Sequence, residues 1–293
     1  MPRLPLHASV SFAVLAILVS PAKGAAEEQT WNREFTVAHQ PTIRIDTDDA
    51  SVKVHSWNDS KVRAVIKYRK TTGGLVLGRQ GPRVELNQAG DAVSIVARIE
   101  GSVTVAFFDN SRLDVEVWLP RESDLVVSTE DGPVRIEDVA GHLDFRTQDG
   151  PLIGRGLRGE IRARSQDGNV QLDDVDGSLS LATQDATSEI SGRFDRLDVA
   201  SADGGIEIDV RPGSKLREAW SVRSQDGSIH LRIPNHLAAT IDARTRDGNL
   251  SIDLPVLVQG SIRHNELVGD LNGGGPILKL RSSDGSIRVT TIE

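Results

Sequence analysis

A strict internal repeat is the feature that most constrains how this 293-residue chain can fold. Glycines recur every nine residues, and aspartates recur every eighteen, each two residues after a Thr or Ser. The glycines are Gly132, Gly141, Gly150, Gly159, Gly168 and Gly177, with Gly204 in the same register; the aspartates are Asp131, Asp149, Asp167, Asp185 and Asp203. A fixed period of this kind is typical of stacked architectures. The repeating unit is therefore eighteen residues, built from two halves of nine.

Each half of the repeat has the pattern of a short β-strand. Apolar and polar residues alternate along 134–137 and 143–147, as expected for a strand with one buried face. Asp-Gly and Ala-Gly separate the halves, and glycine accepts positive φ at little cost, so we expect positive φ at Gly150 and Gly168. No segment shows a helical period, and the sequence predicts an all-β fold.

Two arrangements of these strands fit the repeat. Asp-Gly between alternating strands is typical of hairpins and favours an antiparallel meander. Alternatively, each eighteen-residue unit is one coil of a β-solenoid, similar to a parallel β-helix, with two short strands per coil. Residues of opposite charge recur at the coil spacing: Glu137, Arg155 and Asp173, and Asp144 with Arg162. Neighbours of opposite charge stabilise stacked strands, which favours the solenoid, although Arg146 beside Arg164 is a counterexample.

The repeat becomes irregular towards both ends of the chain. The motif of 146–150 returns at 223–227, 244–248 and 281–285, at wider intervals that predict coils with loops. Upstream, 42–54 resembles a degenerate copy in which Asp49-Ala50 replaces Asp-Gly. We therefore divide the chain into an irregular β region over 27–125 and a repeat solenoid over 126–293, with larger coils at both ends. The final strand, from Val289 onwards, is expected to be exposed, either covered by a loop or open to a partner.

The first 26 residues have the three parts of a secretory signal peptide. Arg3 precedes an apolar run over 10–19, and small residues follow at 21–26. An uncleaved anchor is the alternative, but the apolar run is short for a membrane span. We expect a mature protein in the periplasm or secreted outside the cell, not inserted in the membrane. The chain has no cysteine, so export brings no disulfide framework.

The net charge excludes some classes of partner. The chain carries a formal charge of −8, and the leader contains only basic charged residues, so the mature chain is more acidic still. Nucleic acids and anionic lipids both require neutralising cations. We therefore expect no nucleic-acid partner.

The sequence also resembles a known family. A Val-Trp-Leu-Pro step ends at Pro120, serial Thr/Ser-x-Asp-Gly turns follow, and Asn-Gly-Gly-Gly-Pro ends at Pro276. Together with the Val-x-Val strands, these motifs resemble the bacterial putative adhesins, an exported cell-envelope family built on a domain of unknown function. The resemblance covers nearly the whole mature chain and implies a β-solenoid. It supplies no catalytic residues.

Few residues point to site chemistry. If the coils stack, the five repeat aspartates form a ladder of like charges that a cation would relieve, and Ca²⁺ is the natural candidate. Alternatively, each aspartate caps its own turn. The histidines have no metal-ligand spacing, and no nucleophile motif occurs. The tryptophans are expected to fill solenoid ends or loops, with stacking on sugars as the alternative: Trp31, Trp57, Trp118 and Trp220.

These observations predict a non-catalytic structural or binding module. It acts as an adhesin or envelope scaffold that presents an acidic solenoid surface to an envelope protein or a glycan. The sequence assigns no catalytic residue and no cofactor. Two alternatives remain open: a carbohydrate-active enzyme on a β-helix scaffold, and a rod stiffened by Ca²⁺.

Overall fold

The computed structural model describes residues 26–73, 80–101, 108–258 and 265–292. Apart from Ala26, the predicted signal peptide lies outside these ranges. Every regular element in them is a β-strand, which confirms the all-β prediction. Within them, no helix has the length and apolar character that crossing a membrane requires.

The strands in chain order are β1 (Ala26–Thr36), β2 (Thr42–Thr47), β3 (Ser51–Trp57), β4 (Lys61–Gly73), β5 (Gln80–Ala89), β6 (Ala92–Gly101), β7 (Phe108–Pro120), β8 (Asp124–Ser128), β9 (Val134–Glu137), β10 (Ala140–Thr147), β11 (Leu152–Arg155), β12 (Arg158–Ser165), β13 (Val170–Thr183), β14 (Ser188–Ser201), β15 (Ile206–Val210), β16 (Trp220–Ser224), β17 (Ile229–Pro234), β18 (Ala239–Arg244), β19 (Leu250–Ile252), β20 (Val256–Val258), β21 (Glu266–Leu271), β22 (Ile277–Arg281) and β23 (Ile287–Ile292).

The strands form two hydrogen-bonded ladders with the core between them. The first ladder runs β5-β6-β2-β8-β10-β12-β13-β14-β16-β22-β18-β21-β20. The second runs β1-β4-β7-β3-β9-β11-β13-β14-β15-β17-β23-β19. The long strands β13 and β14 pass from one ladder to the other. Both ladders continue without a break across residue 125, the predicted boundary between the irregular β region and the repeat solenoid.

From β8 to β13, neighbouring strands are parallel and their paired residues lie eighteen apart. Leu143 pairs with Ile161 in the first ladder, and Leu152 pairs with Val170 in the second. This pairing describes a β-solenoid and shows that the meander alternative is wrong. The predicted charge neighbours are confirmed, because Arg155 lies between Glu137 and Asp173 in the second ladder.

The core is a layer of aliphatic side chains that point inward from both ladders. Burial alternates along strands such as β8 and β15, as the period-two pattern predicts. Large and small side chains alternate along one row, where fully buried Phe145 lies between Val127 and Ala163. Close packing of this kind lets one large ring occupy the space left by a small neighbour.

The Asp-Gly turns stack through their backbones. The backbone amides of Gln148, Asp149 and Gly150 all donate to the carbonyl oxygen of Glu130 in the preceding turn, at 3.0–3.3 Å. A Cβ on Gly150 would lie 2.2 Å from the carbonyl oxygen of Gly132. The close approach of successive turns therefore favours glycine at this position.

The expected positive φ at Gly150 and Gly168 is wrong. Neither residue lies in the left-handed region, whereas the glycines of the other half-repeat do: Gly141 (φ 150°), Gly159 (φ 102°) and Gly177 (φ 132°). In both sets of glycines, which lie nine residues apart, a Cβ would clash with the backbone of the preceding coil. The second set also adopts a backbone conformation that L side chains rarely adopt.

At both ends of the rod, the order of coils in space differs from their order in the chain. The coil β2–β3 lies between β6–β7 and β8–β9, and Ala50 stacks on Gly132, which confirms the degenerate copy. The final coil, β22–β23, lies between β16–β17 and β18–β19. β23 pairs with β17 along its length and with β19 only as far as Val289, so the expectation of an exposed final strand holds only for one edge beyond Val289.

Candidate functional site

The stacked turns leave a groove that runs along one corner of the rod, with a volume of about 500 Å³. We call it the corner groove. Its first side is formed by residues at the ends of first-ladder strands: Asp46, Ser128, Arg146, Arg164 and Ala182. Its second side is formed by turn residues: Asp48, Glu130, Gln148, Gln166 and Gln184. Its floor is the row of hydroxyl residues between them: Thr47, Thr129, Thr147, Ser165 and Thr183.

The floor of the corner groove holds the coils together. All five floor residues are buried. The Oγ1 of Thr129 donates to the carbonyl oxygen of Asp48 at 2.8 Å, and the Oγ1 of Thr147 donates to the Oγ of Ser165 at 3.0 Å. The Oγ1 atoms of Thr47 and Thr183 have no hydrogen-bond partner among the described residues. The two sides of the groove are thus accessible from solvent, whereas its floor is buried.

Charge is distributed unevenly along the corner groove. At one end, Arg98 neutralises Asp46 at 2.6 Å and approaches Asp48 at 3.5 Å. In the middle, Arg146 forms an ion pair with Asp144 at 2.7 Å. Arg164 is exposed and forms no ion pair or side-chain hydrogen bond with any described residue. The middle of the groove therefore offers a guanidinium that no carboxylate of the described chain neutralises.

The second side of the middle section consists of three amides. The side chains of Gln148, Gln166 and Gln184 are exposed and make no hydrogen bond to another described residue. They belong to successive turns, which stack at the usual spacing of about 4.8 Å between strands. Each amide supplies both donors and an acceptor, so this side repeats the same polar group once per coil.

The predicted aspartates lie at the tips of successive stacked turns, and all five are exposed: Asp131, Asp149, Asp167, Asp185 and Asp203. Asp49 occupies the equivalent position below Asp131, and the turns of Asp226, Asp284 and Asp247 continue the series. Among the described residues, no group of three or more carboxylates or imidazoles has an arrangement that would hold a metal ion. The structure thus places the aspartates on neighbouring coils without making them converge.

Like charges in the ladder affect the titration of its first member. Partial burial of its carboxyl raises the pKa of Asp49, and the negative charges of Asp131 and Asp48 raise that pKa further. Asp49 also lines a groove with Ser51 and Arg112.

A second groove, also of about 500 Å³, lies on the second ladder and is internally neutralised. Arg211 donates to Asp173 at 2.7 Å, to Asp174 at 3.0 Å and to the Oγ of Ser191 at 3.0 Å. The hydrogen bond from Ser191 lowers the pKa of Asp173, and the charge of Arg211 lowers it further. Arg232 likewise pairs with Glu207 and Asp209. Because Arg211 and Arg232 are already paired with carboxylates, we interpret this surface as a set of ion pairs that link neighbouring coils.

All four tryptophans are at least partly buried. Trp220 is fully buried, Trp31 packs against the core near the β1 end, and the Nε1 of Trp57 donates to the carbonyl oxygen of Lys61 at 2.8 Å. Trp118 lies on an outward surface between His55 and Arg63 of the two adjacent strands. Its ring centroid is 6.1 Å from that of His55 and 5.5 Å from the guanidinium carbon of Arg63. The Trp118 ring thus has a polar side chain beside it on each adjacent strand.

Sequence reasoning did not identify the two sides of the corner groove as a site. The signal was present, because Arg-hydroxyl-Gln-Asp-Gly recurs at 146–150 and 164–168. The pairing of Arg146 with Arg164 was visible as an unfavourable contact between like charges. Such a contact in an otherwise alternating surface is a reason to look for an anionic ligand.

Comparison with known proteins places this geometry in a family. A family model described as Toastrack DUF4097 matches residues 41–290. No curated protein matches the chain significantly. Similar solved structures include a putative cell adhesion protein from Clostridium sporogenes, with 12% identity over 92% of this chain and 100% of that chain, and a TM-score of 0.30.

Two further similar structures come from Bacteroides fragilis and Parabacteroides distasonis. A putative adhesin from Bacteroides fragilis has 13% identity, 90% and 97% coverage of the two chains, and a TM-score of 0.41. A putative lipid binding protein from Parabacteroides distasonis has 13% identity, the same coverage and a TM-score of 0.35. At these low TM-scores, the individual structures do not support a family assignment, which rests on the match to the family model. That match confirms the resemblance to the bacterial putative adhesins, and the chain belongs to the Toastrack DUF4097 family.

Proposed function

We propose that this protein is an exported, non-catalytic binding module, an adhesin or envelope scaffold. In this proposal, a β-solenoid rod with eighteen-residue coils and larger coils at its ends presents rows of polar side chains to a partner in the cell envelope. The observation that carries the proposal is the parallel register, because it aligns equivalent outward residues of successive coils into rows. A stacked rod of this kind is rigid while its outward positions remain free to vary.

Export and binding are tested together on the secreted protein. We expect fractionation to find it in the periplasm or outside the cell, with an N-terminus near residue 27. We expect the labelled mature protein to co-sediment with isolated native envelopes in a saturable manner, competed by unlabelled protein. Retention in the cytoplasm, or non-saturable sedimentation equal to that of a heat-unfolded sample, would contradict the proposal.

A carbohydrate-active enzyme is the alternative, and one residue bears on it. Glycosidases use a carboxyl with a raised pKa as the general acid, and Asp49 has a raised pKa beside two other carboxylates. The test is incubation of wild type and Asp49→Asn with a panel of polysaccharides. We expect no product from either protein, and release by wild type that Asp49→Asn abolishes would establish the enzyme instead.

The alternative of a rod stiffened by Ca²⁺ has a separate test. The exposed turn aspartates lie one per coil and do not converge in the described chain, so we expect millimolar Ca²⁺ to leave the melting temperature unchanged. A rise in melting temperature that EDTA reverses would show that the aspartate ladder binds the ion.

A further inference from the structure

We propose that the corner groove binds a linear glycan that carries carboxylate groups, lying parallel to the rod. This inference rests on the proposed function and specifies its partner. A carboxylate of the ligand pairs with Arg164, beside Arg146, and the ligand's hydroxyl groups bond to the amides of Gln148, Gln166 and Gln184.

The arginine side determines the charge of the ligand. Arg146 and Arg164 are paired residues on adjacent parallel strands, so two guanidinium groups lie one coil apart. Their repulsion is only partly relieved, because Asp144 binds Arg146 while Arg164 has no partner among the described residues. Guanidinium groups bind carboxylates through two parallel hydrogen bonds. A carboxylate on the ligand would therefore neutralise Arg164 and fix the orientation of the ligand in the groove.

Like Arg146, the later arginines in the same row are already neutralised. Arg223, Arg281 and Arg244 occupy the equivalent position in later coils. Arg223 lies 3.1 Å from Asp198, Arg244 lies 3.0 Å from Asp242, and Arg281 also pairs with Asp242. The anionic part of the ligand is therefore confined to the section around Arg164, although the motif repeats along the rod.

The direction of the groove favours a glycan over an acidic peptide. The groove runs across the strands, and the backbone amides of its turns already donate to the preceding coil. An extended peptide would find no free main-chain partners there, and peptides that bind sheets need them. A chain of sugars needs only side-chain donors and acceptors at regular intervals, which the glutamine side supplies once per coil.

The test measures the affinity of the full mature protein for three hexameric probes by calorimetry. The probes are hexagalacturonate, its fully methyl-esterified form, and hexa-aspartate. We expect hexagalacturonate to bind at least tenfold more tightly than either of the others. We expect the double variant Arg146→Gln/Arg164→Gln to bind it at least tenfold more weakly than wild type, with Arg223→Gln as the matched control unchanged within twofold.

Each outcome decides the inference. Equal binding of the ester, or loss of affinity in Arg223→Gln equal to that in the double variant, overturns the assignment to this groove. Equal binding of hexa-aspartate overturns the glycan in favour of a general polyanion site, and no binding of any probe overturns the site altogether. Envelope co-sedimentation of the double variant separates the two proposals. If wild type sediments with envelopes and the double variant does so equally, the proposed function stands and the corner groove is not its binding surface.

Discussion

At the scale of single residues, the hydroxyl row shows that equivalent positions in a repeat are not equivalent in energy. Thr129 and Thr183 are both buried beneath the corner groove. The hydroxyl of Thr129 donates to the carbonyl of Asp48, whereas that of Thr183 has no partner among the described residues. A buried hydroxyl without a partner retains its desolvation cost, so the two threonines should respond oppositely to the same isosteric change.

Replacing each threonine with valine tests this difference. We expect Thr129→Val to lower the free energy of unfolding by about 1 kcal/mol through the lost hydrogen bond. Thr183→Val should leave stability unchanged or raise it by about 1 kcal/mol, because it removes an unpaired polar atom. Urea denaturation of the two variants measures both values. Equal losses of unfolding free energy in the two variants would show that Thr183 makes a hydrogen bond as strong as that of Thr129.

Two aspartates make contributions of opposite sign to the pH dependence of stability. The pKa of Asp49 is raised, so its ionised form is unfavourable in the folded state, and Asp49→Asn should be more stable than wild type at neutral pH. The pKa of Asp173 is lowered, so its ionised form is favoured by folding, and Asp173→Asn should be less stable than wild type.

The two differences should vanish in different pH windows. The gain from Asp49→Asn should shrink as pH falls through the raised pKa of Asp49 and disappear below the ordinary value of 3.8. The loss from Asp173→Asn should persist to lower pH and disappear only as pH falls through the lowered pKa of Asp173. Thermal melts of both variants and wild type across the acidic range measure these windows. Differences of the same sign would contradict the assignment.

At the scale of the coil, the Asp-Gly turn is the element that fixes the stacking distance. A Cβ on Gly150 would lie 2.2 Å from the carbonyl oxygen of Gly132, whereas the nearest atom to a Cβ on Gly205 would be 3.9 Å away. Alanine replaces the turn glycine at Ala50 and Ala186, so the stack accommodates one methyl group at these two positions. A β-branched side chain demands more room than a single methyl group.

Valine substitutions at the two glycines separate close stacking from a general cost of losing glycine. We expect Gly150→Val to reduce the free energy of unfolding by about 2–4 kcal/mol, because adjacent turns are forced apart. Gly205→Val should cost less than about 1 kcal/mol. Chemical denaturation measures both. A small effect at Gly150 would mean that neighbouring turns are farther apart than the structure places them.

At the scale of the whole molecule, the position of a strand in the stack should govern its local stability, regardless of its position in the chain. The final strand, β23, pairs with β17 on one side and β19 on the other. By contrast, among the described strands β1 pairs only with β4, and β20 pairs only with β21. Strands with both edges hydrogen-bonded open mainly in larger cooperative units, whereas outer strands fray.

Hydrogen exchange followed by mass spectrometry tests this order. We expect the backbone amides of β22 and β23 to exchange at least tenfold more slowly than those of β1 and β20, although the pair is the last in the described chain. The amides of β10 and β12, inside the regular repeat, are the internal reference for slow exchange. Exchange of β23 as fast as β1 would show that the final coil lies at an end of the rod.

The sequence by itself determined the strands, the turns and the register of the repeat. Each depends on a pattern within one coil or on the next copy of the same pattern, as when Leu143 pairs with Ile161. The stacking of Asp131, Asp149 and Asp167 on adjacent turns follows from the same period. Positive φ at Gly150 was wrongly expected because a glycine in a turn has two physical explanations, conformation and close approach, which the sequence does not distinguish.

Only the tertiary structure decided which irregular coils are neighbours and which charges remain unpaired. Coils with the same edge pattern can hydrogen-bond to one another equally well, so nothing local specifies that β22–β23 lies between β16–β17 and β18–β19. The corner groove has the same origin. The period aligned Arg146 with Arg164. Only the three-dimensional arrangement of carboxylates left Arg164 without a partner among the described residues. Ion pairing depends on distances between side chains, and no sequence period encodes those distances.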